Sequence, residues 1–288
     1  MLFHKNRDTI HAMTVGSEND SRHKIDIIIV VSSPWRLIYL ESCLRSLNDQ
    51  LDIDFASFGV TLVCMHREDV LDATFQPAVT EFLASKKYKF GISAEFCLCS
   101  GEGFPLSLAR NIGARKSTGD IVGFVDSDLV IDPMTISQVL KLVPEHCKVA
   151  YSMVFRMPHR PPHEIYAISD INVFRTRRGE GKFEKKGKGS ACFFIDHGLF
   201  FKMRGYDERL VGWGFADDDM MIRLGMLKTH MIDMTGYGIS AMHQYHDTYI
   251  GTKYNWKANR SLSLGSASAI RNDECWGRGP KTPSVKRR

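Results

Sequence analysis

Short apolar runs and helical patterns alternate along residues 25–133. The run KIDIIIVV is nearly continuous in its apolar character, which predicts a strand buried on both faces. The segment after it has leucines at spacings of three and four, which predicts a helix. The expected strands are 24–31, 58–65, 93–100 and 119–126, and the expected helices are 34–50, 69–86 (interrupted at Pro77) and 105–117. This alternation predicts an α/β fold with a mainly parallel sheet that is covered by helices on both faces.

The pattern changes after Pro133 to an α+β arrangement. A Pro- and Gly-rich stretch from Pro158 to Gly189 is expected to be a long loop, and loops of that length are usually functional or mobile. The expected elements around it are helices at 134–142 and 217–227 and strands at 148–155, 190–196 and 238–246. The domains that we predict are a polar extension (1–24), one domain with halves 25–133 and 134–250, and a peripheral polar tail (251–288).

Composition and charge narrow the class of protein. No apolar stretch is long enough for a membrane span, and the first 24 residues lack the apolar centre of a secretory signal, so we expect a cytoplasmic protein. The seven cysteines show no CxxC spacing and most have apolar neighbours, which predicts buried thiols. The net charge of +5 is matched by the excess within residues 175–188, which hold seven Lys/Arg and two Glu. A local anion-attracting segment is therefore expected, and a nucleic-acid surface is not.

Two carboxylates, Asp126 and Asp128, follow the fourth expected strand. Residues two apart in an extended segment point to the same side, so both carboxylates can face one ion. Like charges at this distance repel each other unless a cation or hydrogen-bond donors neutralise them. Hard divalent cations such as Mn²⁺ and Mg²⁺ suit these oxygen ligands. The alternative is a turn, completed by Asp132 and Pro133, in which the aspartates accept backbone hydrogen bonds.

A second acidic group lies in the sequence GYDERLVGWGFADDDMMIRLG. Two glycines flank Trp213, whose flat ring can stack on a sugar or fill a core position. Asp217, Asp218 and Asp219 begin the expected helix, where acidic residues are favoured by the helix dipole. Capping explains one or two of these aspartates more easily than it explains all three.

Three segments together resemble family 2 glycosyltransferases. ARNIGARKSTGDIVGFVDSDLVIDP resembles the family's Arg-Asn-x-Gly helix, strand and DxD motif, and IDIIIVVSSPWRLIYLESCLRSLNDQ resembles its opening strand and helix. The acidic segment is similar to the Gly-Trp-Gly-x-Glu-Asp-Asp-Asp block of β1,4-galactosyltransferases and chondroitin-polymerase-type enzymes. The resemblance implies a GT-A fold and sugar transfer from a nucleotide diphosphate donor, with polysaccharide biosynthesis as a setting.

The resemblance also implies roles for the acidic block. Asp217 takes the position of the catalytic base, and Asp218 and Trp213 take positions that bind the acceptor. Ala216 stands where the family usually has Glu, which leaves the identity of the acceptor open.

On the donor side, the resemblance implies a metal held by Asp126, Asp128 and His246, with His243 as the other histidine in AMHQYHD. Imidazole favours Mn²⁺ over Mg²⁺, although both ions remain candidates. The implied donor-binding residues are Ser32, Glu68, Arg110 and Asp126.

The function that we expect is therefore metal-dependent, inverting transfer of a hexosyl or N-acetylhexosaminyl group from a UDP-sugar to a glycan or glycoconjugate. The alternatives are a retaining GT-A transferase, a non-catalytic sugar-binding module, and a phosphohydrolase of the haloacid-dehalogenase type. The last remains open because the sequence DSDLV also satisfies the aspartate motif of that family. The basic segment 175–188 has three interpretations: a lid over the donor phosphates, an attractor of acidic acceptors, or a soluble loop. Peripheral association with a membrane also stays open.

Overall fold

The computed structural model describes residues 12–13, 24–67, 74–99, 103–158, 171–183, 192–212, 214–246 and 255–278. The strands are β1 (Ala12–Met13), β2 (Ile25–Val31), β3 (Phe58–Arg67), β4 (Gly91–Cys99), β5 (Ile121–Val125), β6 (Leu129–Ile131), β7 (Val149–Tyr151), β8 (Val154–Arg156), β9 (Lys182–Phe183), β10 (Cys192–Asp196), β11 (Met231–Asp233) and β12 (Ala241–His243). The helices are α1 (Leu37–Asn48), α2 (Phe75–Ala84), α3 (Leu106–Arg115), α4 (Thr135–Glu145), α5 (Ile171–Gly179), α6 (His197–Lys202), α7 (Ala216–Met226) and α8 (Trp256–Leu264).

The central sheet has eight strands in the order β1-β4-β3-β2-β5-β10-β7-β11. Its core of β4, β3, β2 and β5 is parallel, as the sequence predicts, and β10 is inserted antiparallel between β5 and β7. All five residues of β5 are buried, and so are five of the seven residues of β2. The nearly continuous apolar runs thus correspond to strands covered on both faces.

Helices cover both faces of the sheet, which confirms the predicted α/β class. Apolar residues of α1, α2 and α4 join one buried cluster, and those of α3, α6 and α7 join the other. Helix α3 lies very close to the sheet, because a Cβ added at Gly113 would meet the Ile28 side chain at 2.5 Å. This close approach brings the helix, and Arg110 on it, against the strands.

A second sheet of four strands, in the order β6-β12-β8-β9, lies beyond the end of β5. Strand β12 pairs antiparallel with β6, with His243 opposite Leu129, and parallel with β8. The pairing of β12 with β6 joins the last expected strand to the segment that follows the DxD motif.

Several predicted boundaries were wrong. The expected strand 148–155 is divided into β7 and β8, which belong to different sheets. The strand expected at 238–246 is limited to Ala241–His243, and Pro77 lies in the first turn of α2, where proline is tolerated, rather than interrupting the helix. Part of the expected long loop is folded: α5 and β9 lie within it, and Phe174 on α5 is fully buried.

The expected peripheral tail also differs from the structure. Residues 255–278 pack against the domain: α8 contacts α7, and Trp276 is buried against Phe200 and Phe201 of α6. Two polar residues of α8, Asn259 and Ser263, are buried and bonded to the domain, so the sequence of α8 gave no hydrophobic sign of this packing. All seven cysteines are unpaired and six are buried, as predicted. Among the described residues, no helix has both the length and the apolar character that crossing a bilayer requires.

Candidate active site

The carboxyl ends of β2 and β5 meet at one edge of the sheet, since the two strands are parallel neighbours. Ser32 follows β2 directly, and Asp126 follows β5, with Asp128 two residues further on. Ligands of open α/β sheets bind outside this edge. The predicted donor-side residues Ser32, Asp126 and Asp128 therefore lie where such a ligand is expected.

Asp128 is brought together with both histidines by the second sheet. The backbone N–H of Gln244 donates to the Asp128 carbonyl at 2.9 Å, which continues the β6–β12 pairing to the DxD motif. His246 Nε2 lies 3.0 Å from Asp128 Oδ2, and His243 Nε2 lies 3.7 Å from Asp128 Oδ1. One potential ligand atom from each of the three residues lies within 4.8 Å of the other two.

This donor set fits a divalent ion. Asp128 is only 6% exposed, and its Oδ1 is buried without a hydrogen-bond partner among the described residues. Burial by itself would raise the pKa of Asp128, but the His246 hydrogen bond and the nearby charges of His243 and Arg36 lower it well below its usual range. A carboxylate that stays ionised, beside two imidazoles, is a ligand set that suits Mn²⁺.

Arg36 also belongs to this group, although the sequence interpretation missed it. Its Nη1 donates a short hydrogen bond to Asp128 Oδ2 and lies 3.5 Å from His246 Nε2. Its guanidinium carbon lies 4.5 Å from the centre of the Trp35 ring, which is 43% exposed. The available signal was topological: Arg36 follows the carboxyl end of β2, next to the end of β5.

Arg110 joins Asp126 to the acidic block. Its Nη2 donates to Asp126 Oδ1 at 2.8 Å, and its Nη1 donates to Asp217 Oδ1 at 2.6 Å. The residue is 2% exposed, and its guanidinium carbon lies 5.0 Å from the centre of the Tyr206 ring. Burial would lower the pKa of Arg110, but the carboxylates of Asp217 and Asp126 raise it well above its usual value. Arg110 is therefore a fixed positive charge between two partly exposed carboxylates.

Three residues of the Arg-Asn-Ile-Gly segment of α3 make different contacts. Arg110 faces the site, and Gly113 permits the close approach to β2. Asn111 exchanges two hydrogen bonds of 2.8 Å with the backbone of Tyr206, which fixes the chain before the acidic block. The segment thus holds both the position of Arg110 and the aromatic ring beneath it.

The surroundings of Asp126 differ from those of Asp128, and its role as a metal ligand stays a prediction. It pairs with Arg110 and lies outside the group formed by Asp128, His243 and His246. Its side chain is 38% exposed. Desolvation of the carboxylate by the surrounding protein raises the pKa of Asp126 to about 6. The charge of Arg110 opposes this rise, and the charges of Asp128 and Asp217 add to it.

The three aspartates at the start of α7 have different surroundings. Asp217 is 32% exposed and bonds to Arg110, and its Oδ2 has no hydrogen-bond partner among the described residues. Asp218 is half-buried, which raises its pKa, and the charge of Asp217 adds to this rise. Asp219 is fully buried and bonds to Arg223 at 2.8 Å and to the Ser263 hydroxyl. Asp217 alone of the three is paired with the donor-side residues in the described part of the chain.

The loop before α7 is fastened by α8. The side-chain amide of Asn259 donates to the carbonyls of Gly214 at 2.8 Å and Val211 at 3.3 Å, and Asn255 also donates to Val211 at 3.0 Å. Gly214 has a φ of +106°, which disfavours any residue with a side chain. Trp213 within this loop and the predicted donor residue Glu68 lie outside the described residues.

Comparison with known proteins places this geometry in context. Residues 96–210, about two fifths of the chain, match the family described as Glycosyl transferase family 2. No curated protein sequence matches the chain significantly.

Solved structures with the same fold include TarS from S. aureus and a mannosyltransferase from Pyrobaculum calidifontis. The crystal structure of S. aureus TarS is 15% identical, with a TM-score of 0.51, over 77% of this chain and 37% of that chain. TarS 1-349 in complex with UDP-GlcNAc is 16% identical, with a TM-score of 0.51, over 79% of this chain and 60% of that chain. The mannosyltransferase PcManGT from Pyrobaculum calidifontis, in complex with GDP-Man and Mn2+, is 14% identical, with a TM-score of 0.52, over 95% of this chain and 70% of that chain.

The chain spans less than two thirds of the length of the TarS chains that it matches. Structural matches at identities of this size establish the fold, but they do not show that this chain uses the substrates of these proteins. The architecture is therefore that of a GT-A glycosyltransferase, and residues 96–210, which include Arg110, Asp126 and Asp128, carry the match to glycosyltransferase family 2.

Proposed function

We propose that this protein is a metal-dependent, inverting glycosyltransferase that uses a nucleotide diphosphate sugar. The observation that carries the proposal is the group of Asp128, His243 and His246 at the carboxyl edge of the sheet, together with the ion pairs of Arg110. The buried Arg110 pairs on one side with Asp126, which precedes Asp128 by two residues, and on the other side with Asp217, the candidate base.

On the donor side, Asp128 and His246 would hold the divalent ion, and His243 would be a third ligand. A bound Mn²⁺ supplies positive charge that stabilises the departing diphosphate. Ser32 lies at the end of β2, where we propose that it contacts the nucleotide. The bond to Arg110 fixes the orientation of the Asp126 carboxylate, and we propose that Asp126 contacts the donor.

On the acceptor side, we propose that Asp217 is the general base. Its Oδ1 is held by Arg110, and its Oδ2, which accepts no hydrogen bond from the described residues, is the atom that would accept the proton of the acceptor hydroxyl. A base that is fixed through one oxygen keeps its orientation without losing the other oxygen to the same donor. We propose that Asp218, the neighbouring partly buried carboxylate, binds acceptor hydroxyls together with Trp213.

UDP-sugars are the donors that we propose, with a glycan or glycoconjugate as the acceptor. TarS 1-349 has been solved with UDP-GlcNAc and PcManGT with GDP-Man, so the fold accommodates both nucleotides in those proteins. A GDP-sugar is therefore included as a competing donor in the test. The β1,4-galactosyltransferase-like or chondroitin-polymerase-like subtype stays a prediction from the acidic block alone.

The rival functions differ in how well they agree with the fold. A phosphohydrolase of the haloacid-dehalogenase type usually carries its aspartate motif on its first strand, whereas Asp126 and Asp128 follow the fourth parallel strand of a GT-A sheet. A retaining transferase and a sugar-binding module agree with the fold and are separated from the proposal by measurement.

The test is release of nucleotide diphosphate from panels of UDP- and GDP-sugars, with and without Mn²⁺ and a panel of glycan acceptors. We expect Mn²⁺-dependent release of UDP that increases with an acceptor, and a product of inverted anomeric configuration by NMR. Asp128→Asn should abolish the Mn²⁺-dependent release of nucleotide. Asp196→Asn should not, since Asp196 on β10 pairs with Ile121, at the end of β5 that lies away from the site. Retention of configuration would exclude the inverting mechanism, and absence of release from every donor would favour the binding module.

A further inference from the structure

The contact of Arg36 with Asp128 occupies part of the candidate metal site. Arg36 Nη1 donates to Asp128 Oδ2 and lies 3.5 Å from His246 Nε2, and Asp128 Oδ2 and His246 Nε2 are 3.0 Å apart. An ion bound to both atoms would lie about 2.0–2.3 Å from each. The guanidinium is therefore in the region that an ion and its remaining ligands would need.

The charges at the site lead to the same conclusion. Without an ion, Arg36 is the strong cation next to Asp128, whose side chain is 9% exposed. With a divalent ion in place, a guanidinium at the same carboxylate oxygen would be a like charge within a few ångströms. The ion and the arginine therefore compete for one carboxylate.

The surroundings of Arg36 allow it to leave. Its side chain is 21% exposed, so a path to solvent exists. Its guanidinium already lies over the exposed ring of Trp35, 4.5 Å from the ring centre, a position that a cation can keep after it loses its carboxylate. The backbone of Arg36 is held at the start of α1, since Leu37 N–H bonds to the Pro34 carbonyl. A rotation of the side chain is therefore enough.

We propose that Arg36 is a built-in competitor of the divalent ion, which neutralises Asp128 in the ion-free protein and is displaced when the ion binds. The proposal rests on the proposed function only in requiring that Asp128 and the histidines bind a metal. Its consequence is that the protein binds the ion alone more weakly than its ligands would permit. The displaced guanidinium then becomes available to the anionic diphosphate that arrives with the donor.

The experiment measures Mn²⁺ binding in the absence of any nucleotide, by isothermal titration calorimetry and by electron paramagnetic resonance of the free ion. We expect Arg36→Gln to bind Mn²⁺ about tenfold more tightly than the unaltered protein, because the competing cation is gone. Arg36→Lys keeps the charge and should bind Mn²⁺ within about threefold of the unaltered protein. Arg45→Gln removes an equal charge from an exposed position of α1 and controls for the change in net charge.

Each outcome has one consequence. Tighter binding by Arg36→Gln, without a similar change in Arg36→Lys and Arg45→Gln, supports the competition, and so does binding by Arg36→Gln alone. Equal or weaker binding by Arg36→Gln overturns the competition while leaving the metal site in place. If Mn²⁺ binds to no variant, or binds equally well to Asp128→Asn, both this inference and the metal dependence of the proposed function are overturned. Circular dichroism of each variant confirms folding, and Arg36→Met, which also removes the charge and has the same expected result, replaces Arg36→Gln if that variant is unfolded.

Discussion

Asp217 and Asp219 lie two residues apart on α7, and each bonds to an arginine, but their surroundings are opposite. Asp217 is 32% exposed, bonds to Arg110 and keeps one oxygen free among the described residues. Asp219 is fully buried, bonds to Arg223 and Ser263, and lies 3.7 Å from Arg271. A carboxylate with every oxygen used holds the structure together, whereas one with a spare exposed oxygen can react. Burial and spare acceptor capacity, rather than residue type, therefore separate the two roles.

The largest expected effect is on stability at Asp219. Asp219→Asn leaves Arg223 fully buried without its ionic partner, which should lower the free energy of unfolding by about 3–5 kcal/mol. Urea unfolding followed by circular dichroism measures the change. Asp217→Asn is the matched variant on the same helix and should lose less than about 1 kcal/mol. Equal losses in the two variants would contradict the distinction.

The next effect is on turnover at Asp217. Asp217→Asn should lower kcat about a hundredfold or more because the base can no longer accept a proton, while Mn²⁺ affinity stays unchanged. The measurements are nucleotide release with saturating donor and acceptor, and Mn²⁺ titration of the same preparation. Unaltered turnover would remove Asp217 from the mechanism.

A smaller effect is expected where α8 meets Asp219. Ser263→Ala removes the hydroxyl that donates to Asp219 Oδ1 and should cost about 1–2 kcal/mol of unfolding free energy. Ser261→Ala is the control, since that hydroxyl is exposed and bonds only to the Lys257 carbonyl of its own helix. Thermal unfolding of both variants shows the difference. If Ser261→Ala costs as much, the buried network does not fasten α8.

The smallest effect on stability is expected at Asp218, the partly buried neighbour between the two. Asp218→Asn should change the free energy of unfolding by less than about 0.5 kcal/mol. As a residue proposed to bind the acceptor, it should instead raise the acceptor KM. A stability loss comparable with that of Asp219→Asn would assign Asp218 to the structural network.

Much of this difference could not be read from the sequence. The three aspartates and the helical pattern that follows them predict α7, but the pair of Asp219 with Arg223 is known only from the structure. Which aspartate is buried depends on Ser263 of α8 and on Arg271, and these polar residues gave no hydrophobic signal for that packing. The strands and the carboxyl-edge position of Asp126 and Asp128 were predictable because apolar runs and strand order determine them.

Long-range contacts account for the remaining misses at the site. Arg36 and Asp128 are 92 residues apart in the chain, and no local pattern joins them. His243 was a candidate from the segment AMHQYHD, but its place opposite Leu129 comes from the β6–β12 pairing. The ion pair of Asp126 with Arg110 was also not predicted, because it requires the close approach of α3 to the sheet.

We propose that Asp128, His243 and His246 bind a divalent ion and that the ion displaces Arg36. The decisive experiment is anomalous diffraction from crystals grown with Mn²⁺ and UDP. We expect a manganese peak about 2.0–2.3 Å from Asp128 and His246, with the guanidinium of Arg36 moved away from the carboxylate. A map without a peak at these residues, and with Arg36 still bonded to Asp128, would contradict the claim.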